Sequence, residues 1–332
     1  MAQQQRGAQQ QIPTPDAVGD MYDQFSELCL EMFAGCIHFG YFQVPPPASS
    51  YTDESIEAAT DRMTSLVADQ LALPTTTTTT TNTTTTTTGG GGPRILDVGC
   101  GTGKPARQVA SLTGAHVVGI SISQRQIELA AAPQQQQQQQ PQQSSSIGGK
   151  GNGGGSRSGV ITAAPVREEV SFQYADAMKD LPFPAGSFAG AYAIESLFHM
   201  GDKGAALAQV SRALRPGGRL VVADFFVDPA VGDDDLAPEH VAAFCHLTQS
   251  SGLNTVDEWR GLVEGAGFRV VEVRDIRRNV RRNYRVMAET LRQKALYAPE
   301  VAKGGLEAGA AVMENVSGSN KIGYLLLTAE RV

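Results

Sequence analysis

The segment from Arg94 to Gly103 constrains the fold of this chain more than any other; its sequence is RILDVGCGTG. The apolar first half predicts a buried parallel strand over residues 95–98, because strands covered on both faces are almost continuously hydrophobic. Three glycines then follow at two-residue spacing. Glycine permits a tight turn and lets the backbone approach a ligand without a Cβ clash. The segment therefore predicts a strand–turn–helix unit whose helix points its N-terminus at a nucleoside-like ligand.

The spacing of these glycines separates the kinds of nucleotide site. A dinucleotide-binding turn carries G-x-G-x-x-G, with a late third glycine. This chain has D-x-G-x-G-x-G followed by Lys104 and Pro105, and it contains no G-x-x-x-x-G-K-[ST] phosphate loop. The pattern disfavours a dinucleotide and excludes a P-loop. Three glycines alone also occur in ordinary turns, so the identity of the ligand depends on motifs further along the chain.

Composition limits the partners of the chain. It has 332 residues, a net charge of −7 and a sequence pI of about 5.3, which argues against a nucleic-acid partner. Residues 1–15 lack the hydrophobic core of a signal peptide, and no apolar run reaches the roughly 18 residues that span a bilayer. The cysteines form no C-x-x-C pair and the histidines no H-x-x-x-H pair, so no metal site is predicted. A cytoplasmic protein without a membrane span is expected.

Three low-complexity tracts divide the chain. Residues 1–15 are rich in Gln, residues 74–93 are nearly all Thr and Gly, and residues 133–165 are dominated by Gln, Ser and Gly. Such segments bury too little apolar surface to offset chain entropy, so all three are predicted to be disordered. Because insertions survive at surface loops, the two internal tracts mark boundaries between structural elements.

Strand and helix patterns alternate through residues 94–331, which predicts a doubly wound, seven-stranded, mostly parallel α/β sheet. The Arg-Pro-Gly-Gly of residues 215–218 is predicted to be a loop that ends a helix. Residues 16–73, 230–254 and 280–315 have helical patterns outside the alternation. They are predicted to form a lid over the carboxyl edge of the sheet, where ligands of such sheets bind. The predicted strands are 95–98, 117–120, 170–174, 188–193, 220–224, 268–273 and 324–328.

Further motifs follow the glycine strand in a recognisable order: GISIS at 119–123, YADA at 174–177, ESLFHM at 195–200 and LRPGG at 214–218. As a set they resemble class I S-adenosylmethionine (SAM)-dependent methyltransferases. Within that class the chain is most similar to small-molecule O-methyltransferases of the rebeccamycin sugar methyltransferase type, with sterol and tocopherol C-methyltransferases as cousins. The resemblance runs from about Tyr22 to Arg331 and implies a Rossmann-like methyltransferase fold, SAM as cofactor and a small-molecule acceptor.

The resemblance also implies a set of cofactor contacts. The glycine loop would receive the methionine part and ribose of SAM, with Asp97 near the methionine ammonium. Asp176 would accept from the adenine amino group, and the backbone N–H of Ala177 would reach the ring. Glu195 would lie at the cofactor edge. The three glycines concerned are Gly99, Gly101 and Gly103.

Ser121 is a departure from many class I enzymes, which end strand 2 with an acid that binds the ribose hydroxyls. The named subgroup often has the same serine and a glutamine a few residues later, which makes Gln126 the candidate ribose contact. Neutral hydrogen bonds would then replace the acid, each contributing about 1 kcal/mol.

Methyl transfer to a hydroxyl benefits from proton removal, which histidine performs well near neutral pH. His199 follows strand 4 at the carboxyl edge and is the candidate general base. Asp224, at the end of strand 5, is the second candidate catalytic residue, either orienting His199 or holding the substrate hydroxyl. A structural histidine and a loop-capping aspartate are the alternatives. His38 and Tyr41 could close over the sulfonium, or Tyr41 could belong to the core.

The sequence thus predicts SAM-dependent methyl transfer to a hydroxyl oxygen of a small, largely apolar specialised metabolite. Two alternatives remain open at this point. The same scaffold could methylate carbon or nitrogen, or it could bind SAM without methyl transfer, as a cyclase or a binding protein.

Overall fold

The computed structural model describes residues 13–44, 54–73, 92–132 and 170–332. The three tracts predicted to be disordered lie outside these ranges, except for residues 13–15 and 92–93. The described strands are β1 Arg94–Val98, β2 His116–Ser121, β3 Val170–Tyr174, β4 Phe188–Ile194, β5 Leu214–Val227, β6 Phe268–Asp275 and β7 Ile322–Arg331. The described helices are α1 Pro15–Met32, α2 Ile56–Leu71, α3 Lys104–Thr113, α4 Gln124–Ala131, α5 Lys203–Ala213, α6 Pro238–Leu247, α7 Val256–Gly265, α8 Arg277–Tyr297 and α9 Glu300–Gly318.

The seven strands form one sheet in the order β3-β2-β1-β4-β5-β7-β6. All neighbouring pairs from β3 to β5 are parallel, whereas β7 runs antiparallel to both β5 and β6. The prediction of a seven-stranded, mostly parallel sheet is confirmed. The chain winds outward from β1 to β3 and then returns to start again at β4. The carboxyl ends of β1 and β4 therefore flank a switch point, where open α/β sheets bind ligands.

Alternating residues of the strands divide the core between the two faces of the sheet. Ile95 packs with helices α2 and α3, whereas its neighbour Leu96 packs with helices α5 and α7 on the opposite face. Every residue of β4 is buried, as expected for a central parallel strand. Trp259 on α7 is completely buried and donates its indole N–H to the Phe225 carbonyl at 3.1 Å.

One predicted loop is wrong: residues 215–218 belong to β5. Leu214 pairs with Phe188, but the next paired residues are Arg219 and Gly190, so β5 carries extra residues at an irregularity in the ladder. Gly217 has a φ of 73° there, which glycine adopts without strain. Pro and Gly indicate an irregular backbone both in a loop and in a bulged strand. Only the pairing of the flanking residues with β4 makes this segment part of a bulged strand.

The helices at the two ends of the chain pack on the same face of the sheet. Buried residues of α6, α8 and α9 belong to one apolar cluster with residues 32–39, α2 and the strands. The Asn283 side chain on α8 accepts from the Gly40 N–H and donates to the Gly40 carbonyl, both at 2.8 Å. Asn279 makes a backbone hydrogen bond with Phe42 at 2.9 Å. The segment after α1 is therefore held against the start of α8.

Candidate active site

A cavity partly open to solvent lies at the carboxyl ends of the parallel strands; its empty volume, counting that open space, is about 930 Å³. Its walls come from the turn after β1, the ends of β2 and β4, the segment after β3, and the segment from Pro13 to Tyr22. The structure thus brings the sequence motifs together at the predicted edge of the sheet.

The three glycines of the turn have different roles. Gly99 and Gly101 line the cavity, and a Cβ on Gly99, whose φ is 83°, would lie 2.3 Å from the Ser196 Cβ. Gly103 is not among the lining residues. It precedes α3 with a φ of 78°, and its Cβ would lie 2.6 Å from the Phe172 ring. The cofactor contact at Gly103 stays a prediction, and in the structure Gly103 allows the close packing of α3 against β3.

Asp97 lies on β1 directly opposite Tyr192 of β4, as the register of the two strands requires. The Tyr192 hydroxyl donates to Asp97 Oδ2 at 2.7 Å. Asp97 is only 2% exposed yet lines the cavity, and burial raises its pKa to about 7 despite that hydrogen bond. A buried carboxylate that is hydrogen-bonded to a neutral hydroxyl is suited to binding a cation from the ligand.

Ser121 ends β2, and its neutral partner Gln126 lies on the helix that follows, α4. The Ser121 hydroxyl donates to Gln126 Oε1 at 2.7 Å and accepts from the Ser123 N–H at 3.1 Å. Both side chains are buried, and both line the cavity. Ser123 caps α4, as predicted, and its hydroxyl also donates to Asp23 of α1. The structure therefore brings the predicted pair together beneath the first helix.

Asp176 and Ala177 follow β3 and line the cavity as predicted. Asp176 Oδ1 accepts from the Met178 N–H at 2.9 Å, and Lys179 lies 3.6 Å from Oδ2. The turn lines the cavity with Asp176, Ala177 and Met178. The arrangement offers hydrogen-bonding groups of the kind that recognise a heteroaromatic ring edge.

Glu195 follows β4 with a φ of 50°, a left-handed conformation that is uncommon outside glycine. Its Oε1 accepts from the Phe39 N–H at 2.6 Å and from the Tyr324 hydroxyl at 2.8 Å. Burial raises the pKa of this carboxyl to about 7. Glu195 lines the cavity, as does His38 beside it, whose pKa burial lowers. Glu195 thus holds the segment after α1 over one end of the site.

Tyr41 does not line the cavity. It packs against the apolar core cluster, and its N–H donates to the Ala59 carbonyl at 2.8 Å. The structure therefore favours the core alternative for Tyr41, whereas His38 reaches the site.

His199 ends a 3₁₀ turn, Leu197–His199, and its ring lines the cavity. Its Nδ1 lies 3.0 Å from the Gln249 carbonyl, and its Nε2 lies 2.7 Å from the Tyr22 hydroxyl. Because a carbonyl can only accept, Nδ1 carries the proton and Nε2 accepts from Tyr22. Burial lowers the pKa of His199 to about 4, so the ring is neutral at physiological pH. A neutral imidazole with its basic nitrogen toward the cavity can receive a proton.

Asp224 does not contact the His199 ring in the structure. It is fully buried, and it accepts from the backbone N–H groups of Phe198 and Phe225 at 3.1 and 2.8 Å and from that of Leu197. Burial raises its pKa to about 7. Asp224 therefore braces the turn that carries His199 from behind, and it is not among the residues lining the cavity. This geometry matches the capping alternative and differs from direct contact with substrate.

Sequence reasoning assigned no role to Tyr22, Tyr192 or Gln249. Tyr22 stands at the start of the region of resemblance but is 177 positions from His199. Gln249 contributes a backbone carbonyl, which no residue-type pattern can reveal. Tyr192 could have been found, since a tyrosine in an apolar strand needs a partner for its hydroxyl, and the neighbouring strand carries an acid.

The late helices do not contribute to the walls of the cavity in the part of the chain described here. Residues of α6, α8 and α9 are absent from its lining. The loop after α6 does contact the site, because its Gln249 carbonyl accepts a hydrogen bond from His199. Among the described residues, three or more His, Cys, Asp or Glu side chains nowhere cluster as metal ligands would. None of the described helices is long and apolar enough to cross a membrane.

Comparison with known proteins agrees with this geometry. Residues 68–273 match the family model described as a methyltransferase domain. The chain is 37% identical over 321 residues to "O-methyltransferase resE" of Aspergillus sclerotiorum, an alignment covering 96% of this chain and 98% of the relative. It is 31% identical over 329 residues to "27-O-demethylrifamycin SV methyltransferase" of Amycolatopsis mediterranei, covering 96% and 98% of the two chains.

A solved structure also matches nearly the whole chain. The [4+2]-cyclase SpnF superposes with a TM-score of 0.69 at 27% identity, covering 96% of each chain. The family match spans more than half of the chain, and the relatives above exceed 30% identity over almost its full length. The chain therefore belongs to the methyltransferase-domain family and is a SAM-dependent methyltransferase.

Proposed function

We propose that this enzyme methylates a hydroxyl oxygen of a small, largely apolar metabolite, with His199 as the general base. One observation carries the proposal: a phenolic hydroxyl, that of Tyr22, donates to His199 Nε2 at 2.7 Å at the cavity wall. This is the hydrogen bond that an acceptor alcohol or phenol needs before it loses its proton. The relatives named O-methyltransferases support oxygen as the methylated atom.

The residues lining the cavity fit SAM. Asp97 would take the methionine ammonium, since it is a buried carboxylate whose neighbour is a neutral hydroxyl. Gly99 and Gly101 would admit the cofactor close to the backbone. At the other end, residues of the β2 and β3 termini would hold the ribose and adenine. These residues are Ser121, Gln126, Asp176 and Ala177.

When bound, SAM supplies a methyl group on a sulfonium, which becomes a neutral thioether once the methyl is transferred. His199 would accept the hydroxyl proton at Nε2 as the new oxygen–carbon bond forms. The resulting imidazolium replaces the positive charge of the sulfonium, so the net charge of the cavity does not change. The Gln249 carbonyl holds the Nδ1 proton throughout and stabilises the imidazolium.

Two further roles follow from the contacts. Asp224 would act as a positioning residue, because it fixes the backbone of the turn rather than the ring of His199. Helix α1 would act as a lid, because Pro15, Val18 and Tyr22 form one wall of the cavity. We also infer a cytoplasmic location, since Cys36 and Cys100 are free thiols; cell fractionation tests this.

The test uses SAM carrying an isotopic label in its methyl group and a panel of small neutral phenols and alcohols. Wild-type enzyme should yield labelled ether, located by mass spectrometry. His199→Gln should lower kcat about 100- to 10,000-fold, the usual contribution of a general base, with unchanged affinity for S-adenosylhomocysteine. His116→Gln is the control, because His116 lies outside the cavity lining and contacts Ser171. A His199→Gln enzyme within threefold of wild type would refute the base assignment.

A second candidate function is a cyclisation that leaves the methyl group in place. The likeness to a [4+2]-cyclase over 96% of both chains favours considering it. In that case a product would form without label and without release of S-adenosylhomocysteine. A label found on carbon or nitrogen would instead overturn the assignment to oxygen.

A further inference from the structure

Lys203 is a buried cation that the reaction proposed above does not use. It is the first residue of α5 and only 8% exposed. Both facts are unfavourable for an ammonium, because burial removes its hydration and the N-terminus of a helix carries partial positive charge. Burial accordingly lowers the pKa of Lys203, while Asp224 and Cys245 act in the opposite direction. Specific acceptors must offset these effects.

Those acceptors join two separate pieces of the chain. Lys203 Nζ donates to the Met200 carbonyl at 3.2 Å, immediately after the turn that carries His199. It also donates to the Ser251 hydroxyl at 2.7 Å and lies 3.5 Å from the Gly252 carbonyl. The loop of residues 249–252, called the 249 loop below, includes the carbonyl that holds His199 Nδ1.

The ammonium also sets the direction of a hydrogen-bond relay. Ser251 Oγ lies 2.7 Å from the Met200 carbonyl and 3.0 Å from the Phe198 carbonyl. Because Lys203 can only donate, Ser251 must accept from it and give its own proton to one of these carbonyls. The Ser251 N–H donates to the Phe198 carbonyl as well, at 2.9 Å. The 249 loop is thus bound to the turn on both sides of His199.

We propose that Lys203 is a positioning residue that sets the tautomer of His199 by fastening the 249 loop to the 197–200 turn. The inference deepens the proposed function, because only a ring with its proton on Nδ1 leaves Nε2 unprotonated and able to act as base. Lys203 works through the position of the Gln249 carbonyl and touches no reacting atom. Asp224 braces the same turn through the Phe198 N–H, whereas Lys203 binds the Met200 carbonyl.

Lys203→Met tests this, because methionine keeps an apolar stem and removes the donor. Ser251→Ala breaks the same relay without altering a charge, and it serves if Lys203→Met does not fold. Both variants should lower kcat about ten- to a hundredfold, as expected for a misplaced catalytic group, with little change in KM. Lys203→Arg should recover part of kcat. Lys303→Met on α9, outside the cavity lining, is the matched control and should behave as wild type.

The decisive readout is long-range ¹H–¹⁵N spectroscopy of protein labelled in its five histidines, with His199 assigned from His199→Gln. Wild type should show the Nδ1–H tautomer, and both relay variants should show a substantial Nε2–H population. An unchanged tautomer in a folded relay variant would overturn the inference, even if kcat fell. If His199→Gln stays active while Lys203→Met shifts the tautomer, the proposed base fails and the positioning of His199 stands.

Discussion

Asp97→Asn removes a carboxyl group whose pKa burial raises from 3.8 to about 7. As the pH rises above 3.8, the unfolded chain releases this proton first, so the folded state loses stability until about pH 7. A difference of about three pKa units corresponds to ~4 kcal/mol, of which ~3 kcal/mol develops between pH 5 and pH 8. Asparagine has nearly the same shape, and its Oδ1 can still accept from Tyr192.

The assay is urea denaturation of the cofactor-free protein at pH 5 and at pH 8. Relative to wild type, Asp97→Asn should be more stable at pH 8 than at pH 5 by ~3 kcal/mol. Glu195 and Asp224 also have raised pKa values, but they are present in both proteins and cancel in this double difference. Asp234→Asn, at an exposed position, is the control. A double difference below ~1 kcal/mol would refute the claim that burial dominates at Asp97.

Cofactor affinity provides the second half of this prediction. If the ionised Asp97 binds the methionine ammonium, the affinity of wild type for S-adenosylhomocysteine should fall by up to about tenfold per pH unit below pH 7. Asp97→Asn should bind more weakly at pH 8 and lose this dependence. Calorimetry across the pH range measures both, and an unchanged pH dependence in the variant would place the ammonium elsewhere.

Two further predictions concern the walls of the site. Gly99→Ala should destabilise the fold by ~2–5 kcal/mol in thermal or urea unfolding, because left-handed strain adds to a clash with Ser196. Gly114→Ala, with a φ of 66° and an open surrounding, should show the strain alone, ~1–2 kcal/mol. Asp23→Ala should loosen α1, since the Asp23 carboxylate accepts from the Ser123 hydroxyl and, at 3.3 Å, from the Arg125 N–H. Losing these bonds should raise amide hydrogen exchange in α1 about fivefold or more, at ~1 kcal/mol per bond.

The exposed Asp20 of α1 supplies the control for the last variant, and Asp20→Ala should exchange like wild type. Equal exchange in Asp23→Ala and Asp20→Ala would show that the contact with α4 does not hold the lid. Equal stability of Gly99→Ala and Gly114→Ala would show that the turn yields to the added methyl group.

Local patterns in the sequence were sufficient for most of the sheet and for bringing most of the predicted cofactor residues to one edge of it. An apolar run followed by closely spaced glycines predicts a strand and a tight turn, and the alternation of strands and helices predicts their parallel arrangement. Asp97, Ser121 and Asp176 each stand at or next to a predicted strand end, so the sheet itself brings them together, and Gln126 follows on the helix after strand 2. Their positions depend on turn chemistry and on the two-residue period of strands, which act over a few residues.

The orientation of side chains around His199 and beside the glycine turn could not be predicted in the same way. Asp224 was predicted to end strand 5, but β5 continues to Val227, and the Asp224 carboxylate turns to the backbone of the 197–200 turn instead of the His199 ring. Gly103 has the spacing of a ligand contact, but a phenylalanine on β3 needs the space beside it. Both outcomes depend on the packing of neighbouring elements, about which residue type and spacing carry no information.

By itself, the sequence determined the strand–turn–helix unit, the doubly wound sheet, the family and the residues at its strand ends, because these follow from local periodicity and short motifs. Only the tertiary structure decided how His199 is held. Its two partners come from α1 and from the loop after α6, 177 and 50 positions away, and its proton is placed by a backbone carbonyl. The raised pKa values of Asp97, Glu195 and Asp224 likewise exist only after folding, because desolvation by the surrounding core causes them.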